Sequence, residues 1–272
     1  MKTKRRLLRR IGKWSIWITV ALLTLFALQL TLLAFPQIVL SHSVRVGTVV
    51  LYYDEGEESE MVAIASDAEE RLKGCPFYDS ARSDRVYYFQ DEEIYGLFTK
   101  LMMMRNDPQG FNLSVFGNSF VSAPIVRELA AESGGEPKYS IWEGSAAHII
   151  AHEIGHQYLI DRYGRSVWIN LPHWKQEGLP EFMANIGPIR ADSSASLRAR
   201  LELLRDDQVW AKGNNWRRKD WDRIHYEAGL LVEYLLEVEG YSIEEILDDS
   251  IIRKETLSRM INWSATARNL HG

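Results

Sequence analysis

From Trp14 to Pro36 the chain carries no charged side chain and is dominated by Leu, Ile, Val, Ala, Phe and Trp. At about 1.5 Å per residue a helix over this stretch reaches roughly 34 Å, enough to cross a hydrocarbon core about 30 Å thick. Trp14 and Trp17 lie at one end, where indole rings favour the membrane interface. Lys2, Lys4, Arg5, Arg6, Arg9, Arg10 and Lys13 precede the run, and no acidic residue occurs before Asp54. Cations flanking the apolar segment predict a cytoplasmic N-terminus, with the remainder of the chain across the membrane. A cleaved signal peptide has a shorter apolar core, of about 7–15 residues, and a small-x-small cleavage site. Leu33-Ala34-Phe35-Pro36 is a poor match to such a site, so the reading is a single-pass, uncleaved anchor.

The rest of the chain has a different character. The whole carries a formal charge of −5, so without the seven tail cations the remainder holds about −12. An acidic body is a poor holder of nucleic acid by counterion release, and no nucleic-acid partner is expected. Cys75 is the only cysteine, which excludes an internal disulfide and a cysteine-rich zinc site. Lys73-Gly74-Cys75-Pro76 places no histidine beside it, so it reads as a packed structural thiol.

The organisation expected is α+β: a basic tail and transmembrane anchor over 1–40, a small mixed α/β sheet region over 41–140, and a mainly helical region over 141–272. The last two form one combined domain, 41–272. Val46–Tyr53 reads as a strand, Met61–Leu72 as a helix, Val86–Phe89 as a strand and Ile94–Met103 as a helix. Phe111–Phe116 and Phe120–Ala123 read as further strands, and Gly134-Gly135-Glu136-Pro137 as a break. Helices are expected over Trp142–Tyr163, Leu179–Asn185, Ala195–Leu204, Asp222–Glu239, Ile243–Asp249 and Glu255–Trp263. Ser242 and Glu245 match a capping box, while Trp210–Trp221 reads as a loop.

The residues that carry chemistry begin with His152-Glu153-Ile154-Gly155-His156. On a helix, positions four apart share a face, so both imidazoles can converge on one ion. Zn2+ suits neutral imidazoles and forms catalytic sites with two histidines, one carboxylate and an open position. Glu153, beside the first ligand, is placed to act as general base on a metal-activated water. Downstream, Trp174-Lys175-Gln176-Glu177-Gly178 offers a carboxylate that can complete the metal shell. Tyr226-Glu227-Ala228-Gly229 opens another amphipathic helix, and a Tyr226 hydroxyl aimed into the cleft would stabilise a developing oxyanion.

These three segments, in this order, resemble the gluzincin metallopeptidases, especially the peptidase MA-like group. The resemblance covers roughly Ile141 to Gly240. It implies a zincin catalytic region in which Trp174-Lys175-Gln176-Glu177-Gly178 supplies Glu177 as third zinc ligand. Tyr226 then corresponds to the tyrosine with which the clan's aminopeptidases stabilise the transition state. The Gly-x-Met-x-Asn substrate-anchoring strand and the large N-terminal β-domain of those aminopeptidases are missing, which favours an endopeptidase.

The expected site is therefore His152, His156 and Glu177 around Zn2+, with Glu153 as base and Tyr226 as oxyanion donor, acting on a peptide or protein. His148 lies one turn before His152 on the same face and reads as a hydrogen-bonded core residue or a partner behind the ligands, with an alternative ligand as the lesser reading. Glu181, four residues after Glu177, faces the same way and either orients His152 or His156 or points to solvent. His173 and His225 flank the site without a spacing argument. Two rival readings stand beside this one. One is a catalytically silent, membrane-tethered binding or assembly protein with a structural zinc; the other is a lipid- or glycan-directed hydrolase using the same metal. Oligomeric state leaves no mark in the sequence.

Overall fold

The computed structural model describes residues 2–104, 108–132, 145–191, 196–206 and 216–268. The expected break at 134–137, the first residues of the helix expected from Trp142, and positions 210–215 of the expected loop lie outside them.

Helix α1 (Lys2–Ala34) includes the apolar run, and Trp14–Ala34 is long and apolar enough to cross a membrane. A short 3-10 turn, Pro36–Val39, leads into the sheet. Five strands follow: β1 (His42–Val46), β2 (Val49–Tyr53), β3 (Asp84–Phe89), β4 (Gly110–Leu113) and β5 (Asn118–Ser122). Their order is β1-β2-β3-β5-β4, with β2, β3 and β5 parallel and both outer pairs antiparallel. The sheet is therefore mixed, as expected, with β4 at one edge.

The strand expected over Val46–Tyr53 is instead the second half of a hairpin that turns at Gly47. Gly47 has φ +56°, and a Cβ there would lie 2.1 Å from the Glu69 carboxylate. Glu69 accepts from the backbone N–H of Thr48 at 3.0 Å and from its hydroxyl at 2.8 Å. Only glycine fits this backbone, and the alternation of β-branched residues on either side hid the turn.

Helix α2 (Glu58–Lys73) covers one sheet face together with α5 (Ala146–Tyr163). Helix α3 (Glu92–Leu101) and the end of α1 cover the other. Asp91 caps α3 by accepting from the Glu93 and Ile94 N–H groups. Two short helices absent from the sequence reading are α4 (Ala123–Glu132), following β5, and α6 (Arg165–Asn170).

The helical region continues with α7 (His173–Ala191), α8 (Leu197–Arg205), α9 (Trp216–Glu233), α10 (Ile243–Ile246) and α11 (Arg253–Arg268). Residues 216–221, expected in a loop, form the first turns of α9. A π-helical turn, Tyr234–Val238, ends that helix. Helix α7 starts six residues before the expected Leu179, because Pro180 reads as a helix boundary in sequence yet lies inside the helix. Ser242 and Glu245 make both bonds of the capping box that starts α10.

The two halves of the expected domain share one core. Val44, Leu51 and Met61 belong to the same buried cluster as Ile150, Leu179, Leu231 and Met260. A second cluster, on the other sheet face, joins Leu33 and Leu40 to Tyr87, Phe98 and Phe120. Cys75 is buried in the first cluster, and burial pushes its thiol up to about 11. That suits the structural role expected of it.

The glycines of the sequence motifs set how closely the central helices cross. A Cβ at Gly155 would lie 3.1 Å from the Pro180 Cα, at the crossing of α5 and α7. At Gly178 it would lie 2.5 Å from the Ala228 carbonyl oxygen, at the crossing of α7 and α9. Because that obstacle is backbone, Gly178→Ala is expected to destabilise the fold by at least about 1–3 kcal/mol. Thermal unfolding reads this as a lower Tm; an unchanged Tm would mean the helices can separate without loss.

Candidate metal centre

Helix α5 is capped by Ser145, whose hydroxyl accepts from the His148 N–H at 3.2 Å, and it closes at Gly164. Nearly every side chain from Ala146 to Gly155 is buried. A helix enclosed on so many sides fixes its histidines in direction. His152 and His156 lie one turn apart and present their rings to α7, with centroids 4.8 Å apart.

Helix α7 brings Glu177 to them. The ligand-capable atoms of His152, His156 and Glu177 all lie within 4.8 Å of one another. Glu177 Oε2 is 3.3 Å from His152 Nε2 and 3.5 Å from His156 Nε2. Two ligands each about 2.0–2.1 Å from a tetrahedral Zn2+ are separated by about 3.3–3.4 Å. The two distances from Glu177 and the donor set, two imidazole nitrogens and a carboxylate oxygen, therefore fit that ion.

A second carboxylate stands behind the ligands. Glu181, one turn after Glu177, accepts from His152 Nδ1 at 3.1 Å and from His148 Nε2 at 3.0 Å. Asn185, one turn further, donates to Glu181 Oε1 at 2.8 Å. A carboxylate on Nδ1 fixes the tautomer and aims Nε2 at the ion. His148 thus meets Glu181 and lies outside the three-residue group that can hold an ion. Asn185 went unnoticed in the sequence, although positions 177, 181 and 185 form one helical row.

The electrostatics favour a cation here. Burial opposes the His152 imidazolium, but its bonds to Glu177 and Glu181 outweigh this and raise its pKa to about 10. Burial likewise opposes ionisation of Glu177 and Glu181, yet neighbouring histidines hold both carboxyls well below the usual range. Glu153 differs. Burial pushes its carboxyl up, against the pull of His156 and His152. A carboxylate with a raised pKa, beside the ligands and outside the ligand set, has the character of a base.

The structure does not bring Tyr226 to this centre. Its ring is buried, and its hydroxyl donates to the Arg200 carbonyl at 3.2 Å. Arg200 is itself held by a buried bidentate pair with Glu233. His225 faces the site instead, with Nε2 3.1 Å from Glu177 Oε2 and its ring 5.9 Å from that of His152. Adjacent helical residues point about 100° apart, so one position decides which of the two faces Glu177. His173, half exposed, sits at the rim with Nε2 3.7 Å from Glu177 Oε1.

The segment carrying Glu177 is braced from below. Trp174 is buried, and Lys175, fully buried, donates from Nζ to the Asp248 carbonyl at 2.6 Å. Gln176 donates to the Trp168 and Leu171 carbonyls. The edge strand closes the other side: a Cβ at Gly110 of β4 would lie 3.1 Å from Glu153 Oε1. Neither a family model nor a curated protein matches the chain.

Proposed function

We propose that the protein is a membrane-anchored zinc metallopeptidase of the gluzincin kind, cleaving polypeptides internally. The observation that carries this reading is the approach of Glu177 to both His152 and His156 at tetrahedral ligand spacing, with Glu153 beside them and outside the set. Bound Zn2+ would supply Lewis acidity, polarising the scissile carbonyl and acidifying a water. Glu153 takes the proton from the attacking water and returns it to the leaving amine. Its raised pKa suits both halves of that exchange. His225, rather than Tyr226, donates to the carbonyl oxygen as negative charge develops there.

The surroundings favour an extended polypeptide over a lipid or a glycan. Among the described residues no strand lies beyond β4, and that edge passes the base at Gly110. A free edge can pair with an extended chain on both sides of a scissile bond. This suits an endopeptidase, and the missing aminopeptidase anchoring motif agrees. The basic residues of α1 ahead of Trp14 orient the domain to the extracytoplasmic side.

The test is cleavage of a mixed peptide library by the full chain in detergent, with and without chelator. Internal cleavage that stops on chelation and returns with Zn2+ is expected. No chelator-sensitive cleavage would favour a binding protein with structural zinc. His225→Ala is expected to lower kcat by about 10²–10³-fold with little change in KM. Tyr226→Phe should leave kcat nearly unchanged and cost about 1 kcal/mol of stability through the lost bond to Arg200. The reverse pattern would return the oxyanion role to Tyr226.

A further inference from the structure

The membrane helix is joined to the soluble domain at a depth where lipid is expected. Gln29 Nε2 donates to the Leu101 carbonyl, the last of helix α3, at 2.7 Å. A hydrocarbon core about 30 Å thick takes about 20 helical residues, so a span starting at Trp14 continues to about Ala34. Gln29 then lies roughly 7.5 Å inside the end of that span. Anything bonded to it lies at the same depth.

We propose that the C-terminal end of α3, with Met102–Met104, is a second, shallow membrane-inserting element that seats the domain on the leaflet it faces. This rests on the reading of α1 as a membrane span.

Three observations besides depth fit lipid immersion. A helix end leaves four carbonyls without intrahelical partners, and hydrocarbon offers them no donors. Here all four are satisfied by protein. Phe98 accepts from Met102 N–H at 3.1 Å, Thr99 from Met104 N–H at 2.9 Å and Lys100 from Met103 N–H at 2.9 Å. Gln29 supplies the fourth, from within the anchor.

Next, Met103 has φ 55° and is 84% exposed. That left-handed conformation favours glycine or asparagine, and an exposed methionine there has little to recommend it in water. Finally, the neighbouring surface is apolar. Leu97 is exposed on α3, and Phe35 and Ile38 are exposed on the turn that leaves α1. Lys100, exposed among them, has a stem long enough to carry its ammonium to the headgroups. The acidic residues of α3, Glu92 and Glu93, sit at its opposite end.

Further contacts keep this arrangement rigid. Asn118 of β5 donates to the Leu33 carbonyl at 2.8 Å, and the Tyr87 hydroxyl donates to Gln37 Oε1 at 3.0 Å. The anchor thus ends inside the second core cluster, and the inserted end of α3 gives the domain two points of attachment.

The experiment is site-specific labelling of the full chain in phosphatidylcholine vesicles. An environment-sensitive fluorophore is placed in turn at Met103→Cys, at Leu23→Cys within the anchor, and at Lys254→Cys on α11. The native thiol, Cys75, is buried, and the unsubstituted chain gives the labelling blank. At 103 the expected result is an emission blue shift relative to 254, with loss of intensity when lipids carry a nitroxide high on the acyl chain. Water-like emission at 103 with lipid-like emission at 23 would overturn the inserted element while leaving the span. Water-like emission at both positions would overturn the span and the proposal together.

Discussion

Glu153→Gln is expected to keep its zinc and lose turnover. The amide has nearly the shape of the carboxylate it replaces, and Glu153 lies outside the group that can hold the ion. Metal content measured by atomic emission should therefore remain about one per chain, because the ligand geometry of His152, His156 and Glu177 is untouched. An amide cannot accept the proton of the attacking water. General-base catalysis contributes about 10²–10⁴-fold, so kcat should fall by at least about a hundredfold on any peptide the wild type cleaves. The raised pKa of Glu153 comes mainly from burial, opposed by the two neighbouring histidines, and an amide at this position is relieved of that desolvation cost. The variant should be no less stable than the wild type. Loss of activity without loss of Tm or of metal would thus separate the base from the scaffold. Retained proteolysis would remove Glu153 from the mechanism and leave the metal site without a water-activating group.

How much of this was legible beforehand depends on which distances a sequence encodes. Spacing within one helix is encoded, so His152 and His156 were readable as a pair, and Glu177 with Glu181 as two carboxylates on one face. Contacts between helices are not. That α7 crosses α5 close enough to bring Glu177 to both imidazoles depends on Gly155 against Pro180, a contact no periodicity reveals. The placing of Tyr226 depends on the same kind of contact. The sequence predicts a helix there, but its rotation is set by the bond from Tyr226 to Arg200 and by the close approach of Gly229 to Glu181, and this turns His225 toward Glu177.

Sheet elements followed a similar rule. β3 and β5 are marked by their Val, Tyr and Phe residues and β4 by Phe111, although β4 ends at Leu113, short of the expected Phe116; β1 is not marked, because the expected strand starts only at Val46 and Gly47 reads as one weak position within it. Lys175 shows the limit of reading charge as exposure. It is fully buried because one backbone carbonyl, that of Asp248, comes within its reach.

Metal affinity should fall in two distinct steps when the two carboxylates are removed one at a time. Glu181→Gln leaves all three ligands in place but weakens the acceptor on His152 Nδ1, so Nε2 is less basic and its ring less firmly held. Loss of such an outer carboxylate costs about 10–100-fold in affinity. Glu177→Ala removes a ligand, and the loss should exceed that range. It also strips the negative charge that His156, His225 and His152 share, so the histidines left behind would repel a dication when protonated.

Thermal unfolding in a zinc titration distinguishes the two. An ion that binds only the folded chain stabilises it in proportion to the logarithm of its concentration over Kd. The wild type should gain Tm from the lowest zinc concentrations. Glu181→Gln should follow the same curve displaced by one to two decades, and Glu177→Ala should gain nothing over the same range. Parallel curves for the wild type and Glu177→Ala would mean that the carboxylate does not face the ion, and the two histidines alone would not carry the assignment.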